Sequence, residues 1–246
     1  DLWILGNHRL ICGDSTDPKN YERLAKSVKE SPFLMVTDPP YGVNYDPEWR
    51  DGIEGKRGTT RSKGKVKNDH IVDWSSAFKL FTGDVAYVWH ASFFISNVQN
   101  QIESCDFKIR SQIIWRKQSI VISRGDYHWQ HEPCWYAVRK GKGAEYVGGR
   151  AQSTVWEIKN ASIGGDGQDM RTGHGTQKPI ECMARPIRNH GKPGNVIYDP
   201  FMGSGTTIIA CEQLDRTAIG MEIDPGYCDV IIDRWERFSN GKARKA

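Results

Sequence analysis

The sequence predicts a doubly wound, mainly parallel α/β sheet with short inserted loops, folded as one domain over residues 1–246. Three observations lead there. Short apolar runs rich in Val, Ile, Tyr and Trp recur along the chain, as buried strands do. Amphipathic helical stretches alternate with them, the pattern of a sheet covered on both faces. Several of the apolar runs end directly in an acid, a glycine or a proline, where an open α/β sheet carries its ligands.

In chain order, Arg9–Cys12 runs into Gly13-Asp14-Ser15, and Tyr21–Lys29 follows as a helix with Leu24 and Val28 on one face. Phe33–Val36 runs into Thr37-Asp38-Pro39-Pro40-Tyr41. Val85–Trp89 ends at His90 and is followed by a helix over Phe93–Cys105. Ile109–Trp115, Cys134–Val138 and Thr154–Ile158 read as further strands. Ile180–Asn189 is helical in pattern but contains Pro186, which predicts a kink or a late start. Val196–Tyr198 and Thr217–Met221 are strands, each followed by a helix, Thr207–Leu214 and Tyr227–Phe238. Asp46–His70 and Gly141–Gly175, the latter with nine glycines, read as loops.

Composition narrows the function classes. A formal charge of +4 permits a nucleic-acid partner without demanding one, but Arg57, Arg61, Lys63, Lys65 and Lys67 form a basic run free of acids. The six cysteines are scattered with no CxxC pair, which argues against a zinc site and a disulfide framework and for a reducing compartment. His128 and His131 have metal-site spacing but lack a third ligand, so no metal is expected. No apolar run is long enough for a membrane helix, no signal peptide is evident, and a cytoplasmic location is expected. The chain opens at Asp1 rather than Met, as a processed chain or a domain of a longer one would.

Two constellations carry chemistry. In the first, Asp199-Pro200-Phe201-Met202-Gly203-Ser204-Gly205-Thr206-Thr207 joins a strand to a helix. Gly203 and Gly205 would let the backbone approach a ligand, and Thr206 or Thr207 could cap the helix. Glu222 ends the next strand 23 residues beyond Asp199, the place of an acid that holds ribose hydroxyls. An adenosine-type ligand is expected. The missing third glycine of the G-x-G-x-x-G pattern favours S-adenosylmethionine over a dinucleotide.

In the second, Asp38-Pro39-Pro40-Tyr41 forms a rigid turn. An exocyclic amine such as adenine N6 is a poor nucleophile because its lone pair is delocalised. Asp38 and the Pro39 carbonyl could accept its two N–H groups and stabilise the charge that develops, while Tyr41 stacks on the base. The base would have to leave the duplex. The plain alternative is a Pro-Pro turn with Asp38 as a cap.

Together these segments resemble the amino-DNA methyltransferases, in the permuted order of their β group, with the catalytic turn before the cofactor turn. Gly173–Pro179, with Thr176, Gln177 and Lys178, resembles the segment that contributes to the family's cofactor site. Gly13-Asp14-Ser15 resembles its N-terminal acidic turn at the cofactor's adenine end, and His131-Glu132-Pro133 begins a further family strand. The start of the chain also resembles methylase domains of phage proteins. The resemblance implies a Rossmann-like methyltransferase fold, S-adenosylmethionine as cofactor, DNA as substrate and a homodimer as an assembly some members form. Asp in the first position of the turn goes with adenine N6 and Ser with cytosine N4, so adenine is expected. N4-cytosine, RNA or protein-glutamine transfer and a non-catalytic DNA-binding module are the alternatives. Asp46–His70 is expected to be a basic loop on the DNA side, Arg116–Trp129 a second basic and aromatic stretch, and residues 143–172 a short target-recognition region.

Overall fold

The computed structural model describes residues 1–43, 67–121, 125–160 and 177–246. Most of the predicted basic loop, Thr176, and residues 161–172 of the expected target-recognition region lie outside the described residues.

One ten-stranded sheet organises the described residues, in the order β10-β1-β2-β9-β8-β3-β4-β6-β5-β7. Its strands are β1 (Leu2–Leu5), β2 (His8–Cys12), β3 (Leu34–Thr37), β4 (Val85–Trp89), β5 (Phe107–Val121), β6 (Trp129–Arg139), β7 (Val155–Glu157), β8 (Val196–Asp199), β9 (Thr217–Glu222) and β10 (Arg244–Lys245). The five central strands, β2-β9-β8-β3-β4, are parallel throughout. Antiparallel pairs flank them: β1 on β2 and β10 at one side, β4-β6-β5 at the other.

Among the described residues six α-helices cover the sheet: α1 (Pro18–Lys26), α2 (Ser75–Leu80), α3 (Ile95–Ser104), α4 (Ile180–Asn189), α5 (Thr206–Gln213) and α6 (Pro225–Ser239). Strand alternation sends side chains to two cores. Leu34, Val36, Val85 and Tyr87 face α4, α5 and α6. Met35, Ala86, Val88 and Tyr198 face α1, α2 and α3. The sheet is therefore doubly wound.

Helix starts follow a local rule. Asp17 and Asp224 each cap a helix whose first residue is a proline, accepting from Lys19 N and Gly226 N. This moves α1 earlier than Tyr21–Lys29. The helix around Pro186 does not start late; it begins at Ile180 and includes the buried Pro186.

The topology places the site. From β8 the chain winds through α5 to β9 on one side, and from β3 through α2 to β4 on the other. The carboxyl ends of the adjacent strands β8 and β3 thus meet at a switch point, where a crevice opens.

Candidate active site

Both predicted turns open from these two strand ends into one cavity of about 610 Å³, the size range of small-molecule sites. Asp14 and Ser15 at the end of β2, the Asp199–Thr207 turn and Glu222 line one part. Asp38–Tyr41, Lys117, Glu132 and the Phe93, Trp129 and His131 rings line the other.

The β8 turn is built around Asp199, whose buried carboxylate accepts from Thr37 Oγ1 (2.7 Å), Thr207 Oγ1 (2.5 Å) and Phe201 N (3.0 Å). Burial nevertheless pushes its pKa up to about 6. Because Thr37 ends β3, this carboxylate ties the two turns together. The predicted threonine cap is corrected here. The cap position of α5 is Gly205 at φ 79°, with no side-chain cap. Thr207 is committed to Asp199, and Thr206 Oγ1 donates to the Lys178 carbonyl at 3.3 Å. Gly205 is needed for its backbone conformation and because a Cβ would stand 3.1 Å from Ile231 of α6.

Glu222 accepts from Gly203 N at 2.9 Å and Asp224 N at 2.8 Å. Burial raises its pKa to about 7. Each oxygen keeps a second lone pair for a ligand hydroxyl. Asp14 stays exposed, with one oxygen held by Thr16 N and Oγ1, both at 2.8 Å. Ser204 is buried, and Arg234 of α6 bonds its carbonyl at 3.0 Å. Pro200 and Gln177 also border the cavity.

On the other side Asp38 is ion-paired. Lys178 Nζ lies 2.8 and 2.7 Å from its two oxygens and 2.9 Å from Tyr41 Oη, which donates to Asp38 Oδ1 at 2.8 Å. Lys178 also meets Glu132 at 2.8 Å, and Glu132 meets Lys117 at 2.5 Å. Burial raises the Asp38 carboxyl, with Lys178 opposing. For Glu132 burial acts upward too, but Lys178 and Lys117 outweigh it and hold it at about 2. Burial alone would lower Lys178; Asp38 and Glu132 overcome it and raise it. So Lys178, expected at the cofactor, puts its ammonium on Asp38.

Three contributors are not expected at the catalytic turn from the sequence: Lys117 is placed in a basic and aromatic stretch, Glu132 in a family strand, and Trp74 nowhere. Trp74, just before α2, donates from Nε1 to the Pro40 carbonyl at 3.0 Å and packs edge-on against Phe201 at 4.7 Å, bracing both turns. Lys117 and Glu132 come from the antiparallel strands β5 and β6. An acid entering the apolar run Pro133–Val138 was the available signal for Glu132.

Comparison with known proteins bears on the family and the fold. A family model described as DNA methylase, of the N6/N4 type, matches residues 33–233. A type II methyltransferase of Haemophilus parainfluenzae, M.HpaI, is 33% identical over an alignment covering 96% of this chain and 76% of that enzyme. The M1.HpyAVI–SAM complex superposes with a TM-score of 0.66 at 22% identity, covering 92% of this chain and 98% of that one. The cytosine-N4-specific PvuII DNA methyltransferase does so at 0.65 and 18%, covering 96% and 94%. These two likenesses bear on the fold.

Proposed function

This chain belongs to the DNA methylase family, and on that premise we propose that it transfers a methyl group from S-adenosylmethionine to the exocyclic N6 of adenine in DNA. The observation that carries the reading is the pair of carboxylate-bearing turns on adjacent strands β3 and β8, open to one cavity.

The lining fits this donor better than a dinucleotide. Lys178 is neutralised by Asp38 and Glu132, and Lys67 by Asp224 at 3.1 Å. Asp14 and Glu222 remain as acids, which suits a cationic sulfonium and a ribose rather than a pyrophosphate. S-adenosylmethionine, when bound, supplies an electrophilic methyl group. Glu222 would accept from its ribose hydroxyls, Asp14 and Ser15 would border its adenine end, and the Phe201–Gly205 turn would lie beside it. Gln177, which borders the cavity, completes this half. Asp38 accepts one N–H of the target amine and the Pro39 carbonyl the other, which directs the nitrogen lone pair and stabilises its developing positive charge. Tyr41, anchored by its hydroxyl, offers its ring to a base flipped out of the duplex. The aspartate in first position supports adenine over cytosine. The reading places the chain among modification enzymes of restriction–modification systems.

Incubation with unmethylated plasmid and labelled S-adenosylmethionine, followed by mass spectrometry of the nucleosides, tests this. N6-methyladenine is expected. N4-methylcytosine would transfer the activity to cytosine, and no methylated base with the donor bound would overturn the reading.

Glu222 gives a pH signature. Its burial disfavours the charged form, so the carboxylate that accepts ribose hydroxyls is lost as pH falls through about 7. Donor affinity, followed by calorimetry from pH 9 to 5.5, should weaken below that point by up to about tenfold per unit. Glu222→Gln should bind roughly 10–100-fold more weakly with a flat profile, the loss of a charged hydrogen-bond acceptor. An unchanged affinity would remove Glu222 from the site.

A further inference from the structure

Lys178 stands at the centre of a chain of alternating charge drawn from four places in the fold: Lys117 on β5, Glu132 on β6, Lys178 before α4, and Asp38 after β3. Its side chain is 5% exposed. Its ammonium has three protons but four oxygen partners within 2.9 Å: both Asp38 oxygens, Tyr41 Oη and Glu132 Oε2. One contact is always shared, so releasing an Asp38 oxygen to an incoming amine leaves every Lys178 proton bonded.

We infer that Lys178 and Glu132 are positioning residues for Asp38: Lys178 keeps its carboxylate ionised and oriented, and Glu132, held by Lys117, retains Lys178 while one Asp38 oxygen turns to the target amine. The inference deepens the proposed function and rests on it for the identity of that amine.

The surroundings make Lys178 decisive. The other groups facing Asp38 are the Tyr41 phenol, Glu132, the Cys134 thiol on β6, and Asp199 on β8. Cys182 of α4 and His90, just after β4, face Lys178 as well, and His90 is held neutral by burial, with a pKa of about 4. Among the described residues none of these is a cation. Without Lys178, Glu132 would keep Lys117, but Asp38 would face that carboxylate in a buried place with no cation of its own, which favours its protonated form. A protonated Asp38 would compete with the amine instead of accepting from it.

The experiment follows Asp38 directly. The protein is labelled with carboxyl-¹³C aspartate, the Asp38 resonance is assigned by its loss in Asp38→Asn, and the signal is titrated in wild type, Lys178→Met, Glu132→Gln and the double variant. Lys178→Met should raise the Asp38 midpoint by about one unit or more, and adding Glu132→Gln should return part of that shift. Glu132→Gln alone should lower the midpoint, which keeps the test decisive if Lys178→Met does not fold. In single-turnover transfer the acid limb of the Lys178→Met pH profile should move up in parallel, with donor affinity within about threefold of wild type and a roughly 100-fold slower rate at neutral pH. An unmoved Asp38 midpoint, or donor affinity lost in step with the rate, overturns the inference. Wild-type protein that methylates no base would overturn the proposed function, while the titration would still decide the coupling of Lys178 to Asp38.

Discussion

Asp38→Asn is expected to slow methyl transfer by roughly 10³-fold while S-adenosylmethionine binds within about threefold of wild type. The substitution is nearly isosteric, so it tests charge rather than shape. The carboxylate is the group that would accept the target N–H, and a single well-placed electrostatic partner of a developing charge is worth roughly this factor. Donor affinity should survive because the donor half of the cavity hangs on Asp199, Glu222 and the Gly203–Gly205 backbone, none bonded to Asp38. The contrast with Glu222→Gln is the strength of the test. One variant should lose the rate and keep the donor, and the other should lose the donor first. Turnover unchanged in Asp38→Asn would remove the aspartate from the reaction. Rate and donor affinity falling together would mean that the two halves are one rigid unit.

The parts of the fold that could be read from the sequence are those where one short segment carries the whole signal. The parallel centre is buried on both faces, so β3, β4, β8 and β9 are uninterrupted apolar runs. The edges are different. β1 and β2 form a hairpin across Gly6-Asn7, a turn dipeptide that went unread, and β10 is only Arg244–Lys245, too short and polar for any periodicity. β5 continues to Val121 because beyond Trp115 it still pairs with β6, as far as Trp129, a fact of pairing rather than of either segment. The site divides in the same way. Asp38–Tyr41 and Asp199–Thr207 are contiguous motifs. The chain from Lys117 through Glu132 and Lys178 to Asp38 spans four separate segments and exists only once β3, β5, β6 and the start of α4 are assembled. Trp74 belongs to this second class, since it braces both turns from the cap position of a helix of six residues whose pattern is too short to announce itself.

Gly220→Ala should destabilise the protein by about 3 kcal/mol or more, a loss of roughly 6–12 °C in Tm for a domain of this size. In composition Gly220 is only a glycine inside an apolar strand. In the sheet it sits opposite Asp199 of β8, and an added Cβ would fall inside contact distance of the Asp199 carbonyl oxygen and Met202 Cε, with Met202 Cγ at 3.0 Å. The methionine can turn aside, but the carbonyl is backbone and cannot. Relief requires β9 to move away from β8, and that movement pulls at the middle of the cofactor turn. Met202 N is bonded to the Met221 carbonyl at 2.9 Å and Gly203 N to Glu222 at 2.9 Å. Donor affinity should therefore fall along with stability, and saturating S-adenosylmethionine should recover less of the Tm than it adds to wild type. Gly143→Ala is the matched control: no atom stands within 4 Å of its added Cβ, and its stability change should stay within about 0.5 kcal/mol. If Gly220→Ala matched that control in thermal melts, the β8–β9 register would be softer than drawn, and the close approach of the two strands would not be what shapes the donor turn.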